Sequence, residues 1–364
     1  MYKVLHLDVM RQWRGGERQA LLLAEGSKNR GIDVLFICRK NSVLQEKLVE
    51  AGVPTMPLSI PFEADFYTVW RLSRIIRENR FDIIHTHDSH SLWLGGCAGL
   101  LARRGVRIAA RRVDFSIHRH GFGLSYFKYR YFTDHIIAVS EAVKEVLIKD
   151  GVPPSQISVI YSGVKTEPPQ KTDVRTLLNL SADTRVVGTV GALVPHKGHR
   201  HLIEAAAMLI PHRRNLHFVI IGEGPLKKSL IEQAHYYGVS PNVHFLGFRK
   251  DAENLIPSFD LFVMSSVEEG LGTVVLDAYR AGVCVVATDA GGLKEVVEDG
   301  VSGIRVGRGS GSELKRRIAR ILDDEEMRKN LIEGGRIVLK SRFSADIMIE
   351  KTLSLYKRLL EDTQ

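Results

Sequence analysis

Short β-branched runs alternate with stretches of helical spacing from one end of this chain to the other. In the first half the runs are Val4–Asp8, Val34–Cys38, Asp82–Thr86, Arg107–Ala110, His135–Val139 and Ile157–Ile160. In the second half they are Val186–Val190, His217–Ile221, Val243–Leu246, Asp260–Met264, Val283–Thr288 and Ile304–Val306. Helical patterns fit between them, as where Val69, Leu72 and Ile76 recur at helical spacing. Strand–helix alternation predicts parallel sheets with helices on both faces. Two successive sets predict two Rossmann-like, doubly wound domains. The proline-bearing polar stretch from Lys165 to Lys171 reads as the linker. It places one domain over 1–165 and a second over 166–343. A last helix, 344–361, carries an apolar stripe at Ala345, Met348, Ile349, Leu355, Tyr356 and Leu359, interrupted by Thr352. Something must cover that stripe. Either the second domain does, or the helix crosses back to the first.

With 364 residues, 44% of them hydrophobic, the chain is long enough for two cores. The three cysteines lie in apolar surroundings without metal-ligand spacing, so they read as buried thiols. A net charge of +9 suits nucleic acid, anionic lipid or phosphorylated ligands. Zinc-finger spacing, an aromatic RNA-binding motif and a recognition helix are not apparent in the sequence, which argues against nucleic acid. No leader pattern is visible, and the longest apolar stretch, Leu92–Ala102, is too short to span a bilayer. A cytoplasmic protein is expected, with the inner face of the plasma membrane as one resting place.

Chemistry concentrates at strand ends of the second half. Glu269 and Asp277 lie eight positions apart, around the turn Gly270-Leu271-Gly272-Thr273 between a strand and a helix. Glycine turns before helices expose backbone N–H groups to phosphate or sugar oxygens. Carboxylates accept hydrogen bonds from hydroxyls. Together they suit a nucleotide sugar. Lys197 precedes another helix, where it reads equally as a phosphate contact or as a solvated loop lysine. Gly222-Glu223-Gly224-Pro225 is a further turn at a strand end. After Val243–Leu246, Gly247, Phe248 and Arg249 form a turn that can admit a base, against the plainer reading of a surface arginine.

The ordered set Gly191…Lys197-Gly198, Gly222-Glu223-Gly224-Pro225, Val243-His244-Phe245-Leu246-Gly247, Glu269-Gly270-Leu271-Gly272…Asp277-Ala278 and Asp299-Gly300-Val301-Ser302-Gly303 resembles the retaining GT-B glycosyltransferases called group 1 or family 4. That resemblance implies two Rossmann-like domains facing a cleft. It implies that Lys197 binds the donor diphosphate and that Glu269 contacts the donor sugar. The amides of Gly270 to Thr273 would then meet sugar and phosphate, Asp277 the ribose, and Gly247 to Arg249 the base. The chain departs from the family twice. Ala192 stands where an arginine is usual, and Asp277 replaces a glutamate. His196, His199 and Arg200 are the candidates to replace that arginine.

In the first half, Gly15 and Gly16 open a helix after the first strand. The resemblance places them near the donor phosphates, whereas the residues alone read as an ordinary turn. His85 and His87 alternate onto one face of a strand end. Metal binding there lacks a visible further ligand; the resemblance implies that these histidines line the cleft, with His87 on the acceptor side. Arg112 takes the place of a histidine found in relatives. It reads as a contact to a phosphorylated or acidic acceptor, or as a structural partner of Asp114. From Phe115 to Phe132 aromatic and basic residues intermix, which suits a lipid interface or a packed helix with exposed charges.

The expectation is a retaining, metal-independent transferase with no cofactor. It would move a sugar from a nucleotide-diphosphate sugar to a glycan or lipid-linked acceptor in cell-surface glycan synthesis. The partners are the donor, that acceptor and an anionic membrane surface. The alternatives are a non-catalytic nucleotide-sugar binder and a GT-B epimerase or phosphorylase.

Overall fold

A computed structural model describes residues 2–59, 65–118 and 124–362. The chain divides into two units, Met1–Val164 with Ala345–Gln364, and Lys165–Ser344. The first holds seven strands: β1 (Lys3–Asp8), β2 (Asp33–Arg39), β3 (Thr55–Leu58), β4 (Ile83–Thr86), β5 (Val106–Arg111), β6 (His135–Ala138) and β7 (Ile157–Val159). They pair in parallel in the order β3-β2-β1-β4-β5-β6-β7. The second holds β8 (Arg185–Val190), β9 (Leu216–Ile221), β10 (Val243–Gly247), β11 (Leu261–Met264), β12 (Val285–Thr288) and β13 (Ile304–Val306), also parallel, ordered β10-β9-β8-β11-β12-β13. Each order reverses once, between β1 and β4 and between β8 and β11. Doubly wound sheets bind ligands outside the carboxyl ends of strands at such reversals.

All twelve runs that the strand pattern singles out keep their places within two residues. Strand β3 escaped the pattern because Thr-Met-Pro-Leu has one β-branched residue and a proline. Pro57 is tolerated because β3 is an edge strand, where a missing N–H costs no ladder bond. Both sheets are buried on two faces, so their strands are apolar without strict alternation. Gly188, inside β8, is explained by packing: a Cβ there would lie 2.1 Å from the Phe259 ring.

Alternation along β1 sends Val4 to one core face and Leu5 and Leu7 to the other. The face of Val4 also gathers Phe36, Ile83 and Ile108, and the final helix Ala345–Glu361 covers part of it. Met348, Ile349, Leu353, Leu355 and Tyr356 of that helix join this core. Of the two destinations open for the stripe, the observed one is the first unit. Thr352 does not interrupt it, because its hydroxyl donates to Met348 O at 2.8 Å and the residue is buried. Gly26 lets the helix Gly15–Asn29 approach: a Cβ there would sit 2.2 Å from Ile349 Cδ1. Among the described residues no helix is long and apolar enough to cross a membrane. All three cysteines are free thiols, Cys38 and Cys284 buried and Cys97 partly so.

Candidate functional site

In the second unit two loops leave the carboxyl ends of β8 and β11, the strands at the reversal. Lys197 ends a single 3₁₀ turn, Pro195–Lys197, and Gly198 follows with φ +62°. A Cβ on Gly198 would lie 2.1 Å from Ser265 O, so only glycine lets the two loops meet. Ser265 Oγ donates to Lys197 O at 3.2 Å, and Val267 N donates to His196 O at 2.7 Å. This stitching brings Lys197 Nζ onto Glu269 Oε2 in a hydrogen-bonded ion pair. Ser266 Oγ donates to the same oxygen at 3.2 Å. The lysine and glutamate side chains are only 19% and 11% exposed, so little water screens the pair.

The remaining turns are fixed by backbone contacts. Gly272, with φ +85°, starts the helix Thr273–Arg280 and supplies no capping side chain. The N–H groups of that first turn therefore receive no acceptor from the N-cap residue. Gly292 N donates to Glu269 O at 2.9 Å and braces the loop from behind. Gly222 N donates to Gly247 O at 2.8 Å, and a Cβ on Gly222 would strike Gly191 O. The turns after β8, β9, β10 and β11 thus lie along one sheet edge. Asp277 sits one turn into the helix and is 5% exposed. Gly198→Ala is expected to force the two loops apart. Backbone strain alone costs about 1–2 kcal/mol, and the larger effect should be lost nucleotide binding by calorimetry. Unchanged affinity would show that the loops need not touch.

Arg249 is placed differently from the base contact expected of it. Its guanidinium is held by Asp251 in two bonds of 2.8 and 2.7 Å, leaving the exposed Phe248 ring as the larger surface of that turn. At Ala192 the nearest basic side chain recorded is His199, whose Nε2 donates to Ala192 O at 3.2 Å. Burial pushes His199 down to about 4, so it is neutral near pH 7 and supplies no charge in place of arginine. Arg200 lies 3.9 Å from Glu204 on the exposed side of its helix. Arg308, beyond β13, was not anticipated. It reaches Val267 O at 3.4 Å and Asp289 at 3.5 Å. The only signal for it was a basic residue just past a strand end.

In the first unit the reversal gathers a buried polar cluster. His6 lies on β1 in register with His85 on β4, and His87 follows β4. All three are at most 3% exposed. Arg112 Nη2 donates to His87 Nδ1 at 3.3 Å. The remaining hydrogen of a neutral His87 is then on Nε2, which donates to His6 Nδ1 at 3.0 Å. His85 Nδ1 meets Tyr356 OH at 2.5 Å. Burial lowers His6 to about 3 and lowers His85 and His87 well below the ordinary range, so the three are neutral. The expectation that His87 lines a ligand surface is therefore corrected: the side chain is buried and committed to Arg112 and His6. His6 is the third imidazole that spacing could not reveal. The three ligand atoms lie within 4.8 Å of one another. Yet both ring nitrogens of His87 are already hydrogen-bonded, one of them to a cation, which fits a hydrogen-bonded relay better than a metal.

Arg112 packs against Gly16, where a Cβ would lie 3.4 Å from Arg112 Cδ. Burial lowers the Arg112 guanidinium from its ordinary value, and the charges of Asp8 and Glu17 oppose that shift. Burial and the neighbouring charges of Asp88 and Glu17 push the Asp8 carboxyl well above its usual range. Asp8 at the end of β1 and Glu17 in the helix Gly15–Asn29 are thus carboxylates whose charge Arg112 feels, and Asp114 is half-buried. Gly15 and Gly16 begin the helix, and Arg14 N donates to Glu17 Oε2 at 2.7 Å across its first turn. In the aromatic-basic stretch, Arg119, His120 and Phe122 lie outside the described residues. In the rest, Tyr129 and Phe132 are buried, and Arg111 stacks on Phe115 and Tyr129.

Residues 170–338 match the family model described as glycosyl transferases group 1, and residues 13–168 match that of glycosyltransferase family 4. The UDP-Gal:alpha-D-GlcNAc-diphosphoundecaprenol alpha-1,3-galactosyltransferase of Escherichia coli is 26% identical, over 97% of this chain and 98% of its own. The capsular polysaccharide biosynthesis glycosyltransferase CapM of Staphylococcus aureus is 24% identical, over 93% of each chain. Among solved structures, Anabaena HepE in complex with UDP and glucose superposes with a TM-score of 0.87 at 23% identity, covering 98% of this chain and all of that one (100%). The two sheets have the topology of that fold, and the two family matches meet at the junction of the two units. The chain is a glycosyltransferase of the GT-B fold and belongs to the group 1 glycosyltransferases.

Proposed function

We propose that this enzyme transfers a sugar from a nucleoside-diphosphate sugar to an acceptor hydroxyl, with retention at the anomeric carbon and without a metal. The Lys197–Glu269 pair carries the reading. It puts a cation and a carboxylate together at the β8/β11 reversal, beside uncapped helix N–H groups. That is what a departing diphosphate and a sugar hydroxyl require. Lys197 and the amides at Gly272 and Thr273 stabilise charge developing on the leaving phosphate. Glu269 positions the sugar. The acceptor is a lipid-linked glycan of a cell-surface polymer. Support comes from the name of the E. coli relative, whose acceptor is a diphosphoundecaprenol-linked sugar, and from that of the S. aureus relative.

A thermal-shift screen against nucleotide sugars tests the donor. NMR of the product made with the stabilising donor then reads the anomeric configuration. Formation of an epimer without acceptor, or an inverted linkage, would overturn the reading. Turnover is expected to survive EDTA, because the charge of a leaving diphosphate is met by Lys197 and helix amides. Complete loss in EDTA with recovery on adding a divalent cation would assign that role to a metal.

A further inference from the structure

The first sheet reverses between β1 and β4, and Arg112 stands one residue past the carboxyl end of the next strand, β5. Its guanidinium is anchored in an unusual way. Elsewhere in the chain guanidinium groups are neutralised by contact: Arg175 meets Asp260 at 2.5 Å, Arg249 meets Asp251 at 2.7 Å and Arg280 meets Glu253 at 2.8 Å. Among the described residues no carboxylate forms an ion pair with Arg112. Its Nη2 donates instead to the neutral ring of His87, and its Nε is buried without a partner. Asp8 and Glu17 act on it as charges at longer range. The nearby carboxyls are occupied in other ways. Asp88 accepts from Val9 N at 2.9 Å, His90 N at 2.7 Å and Ser91 N at 2.9 Å, and Glu17 accepts from Arg14 N at 2.7 Å. Burial holds Asp8 toward its protonated form. Arg111, one residue back, adds a second positive charge at this strand end; it donates to Phe115 O at 2.5 Å.

His87 is itself held still. Its ring stacks on His6 at 5.3 Å and on Phe36 at 6.0 Å, and its Nε2 meets His6 Nδ1 at 3.0 Å. His6 and Phe36 are register partners on β1 and β2, so the strands fix both rings. A neutral imidazole offers Arg112 a lone pair and no charge. The arrangement therefore orients the guanidinium while leaving its charge unspent. A desolvated cation without a counter-charge is costly, and an anionic ligand removes that cost. Arg112 is half-buried rather than sealed in, and it lies beside the reversal where doubly wound sheets take ligands. The guanidinium fork matches phosphoryl oxygens.

We propose that Arg112 binds a phosphoryl oxygen of the acceptor's diphosphate, and that His87 and His6 are positioning residues that hold its guanidinium for this contact. This rests on the reading of the acceptor as lipid-linked. In that reading the donor diphosphate has its cation in the second unit, at Lys197, which leaves the cation of the first unit for the other substrate.

Calorimetry on the full chain with two probes tests the proposal. One is a hexosyl diphosphate on a short isoprenoid chain, and the other is the neutral alkyl glycoside of the same hexose. Both are titrated at a saturating nucleoside diphosphate, which occupies the Lys197 edge. Wild type should prefer the diphosphate probe about tenfold or more, the usual effect of a hydrogen bond to a charged group. Arg112→Gln should remove most of that preference. Arg112→Lys, which keeps the charge and loses the fork, should remove less. His87→Leu should act like Arg112→Gln, whereas His87→Asn, whose Oδ1 replaces Nδ1 as acceptor, should keep most of the preference. The ratio of the two affinities is the readout, because a merely structural loss lowers both together. Fluorescence of the three tryptophans, all in the first unit, reports whether that unit is folded in each variant. No preference in wild type would overturn the proposal, and so would a preference that survives Arg112→Gln. A preference seen only without nucleoside diphosphate would assign the phosphate to the donor edge instead. An equal fall in His87→Leu and His87→Asn would remove the positioning role. Sugar transfer measured with the same probes separates the two readings. Turnover that is indifferent to Arg112 leaves the transferase standing without this contact, and Arg112-dependent binding without transfer supports the contact and counts against the acceptor reading.

Discussion

Replacing Lys197 by alanine is expected to lower kcat by about 10²–10³-fold, the usual effect of removing one group aimed at developing charge. The side chain is the cation recorded at Glu269, and it is four-fifths buried. The substitution should also weaken nucleoside-diphosphate binding, because the phosphates lose a poorly screened charge. Glu269→Gln should behave differently. It keeps the shape and a hydrogen-bond acceptor for the Ser266 hydroxyl, so diphosphate affinity should hold or rise while turnover falls. The contrast separates roles: lysine for the phosphate, glutamate for the sugar. Calorimetry with a nucleoside diphosphate and turnover with the matching sugar donor supply both readouts. If both variants lose diphosphate affinity alike, the pair is structural and the division of roles fails. In Lys197→Ala the carboxylate of Glu269 loses its lysine while the Ser266 hydroxyl still donates to it. Part of any stability loss therefore belongs to the altered surroundings of that buried charge rather than to the lysine. The double variant should recover some of it.

The second unit was more legible than the first for a physical reason. Its turns are dictated by glycines that nothing else can replace. Gly198 must clear Ser265 O, and Gly222 must clear Gly191 O. Such positions leave a mark in the sequence whose spacing follows the strands. Lys197 and Glu269 are 72 positions apart, yet each could be placed on a strand end and hence on one sheet edge. The first unit is organised by side chains from strands far apart in sequence. His6 meets His87 across 81 positions, and Tyr356 meets His85 across 271. No local pattern encodes either pairing. They follow from parallel register and from where the last helix packs, and only a structure supplies those. Arg112 illustrates the limit. The fold brings its guanidinium to His87 and to the charges of Asp8 and Glu17, none of which its sequence neighbours announce. Arg249 adds a contact that position did not announce: its guanidinium is held by the carboxylate two residues on.

The histidine cluster predicts that the first unit weakens steeply as pH falls below about 6.5, the ordinary histidine value. His6 is held down to about 3, and His85 and His87 are also well below that value. The cause in each is burial, with neighbouring histidines and Arg112 adding to it for His85 and His87. A base held below its unfolded pKa binds its proton less readily in the native state. Stability is therefore complete above about pH 6.5 and falls as the unfolded chain takes up protons that the folded chain refuses. Each such histidine contributes a slope approaching about 1.4 kcal/mol per pH unit, or about 4 for three together, until the folded pKa is reached. Asp8 and Glu17 act in the opposite sense. Their pKa values are raised, so the native state holds protons more tightly and regains stability as pH falls through them. The net curve is shallower than the histidines alone would give, and the clean measurement is a difference. Trp13, Trp70 and Trp93, the three tryptophans of the chain, all belong to the first unit, so their fluorescence during urea unfolding follows that unit. Between pH 6.5 and 5 the unfolding free energy of His6→Gln should fall less steeply than that of wild type, by up to one proton's slope. Parallel curves would mean that His6 is protonated in the native state.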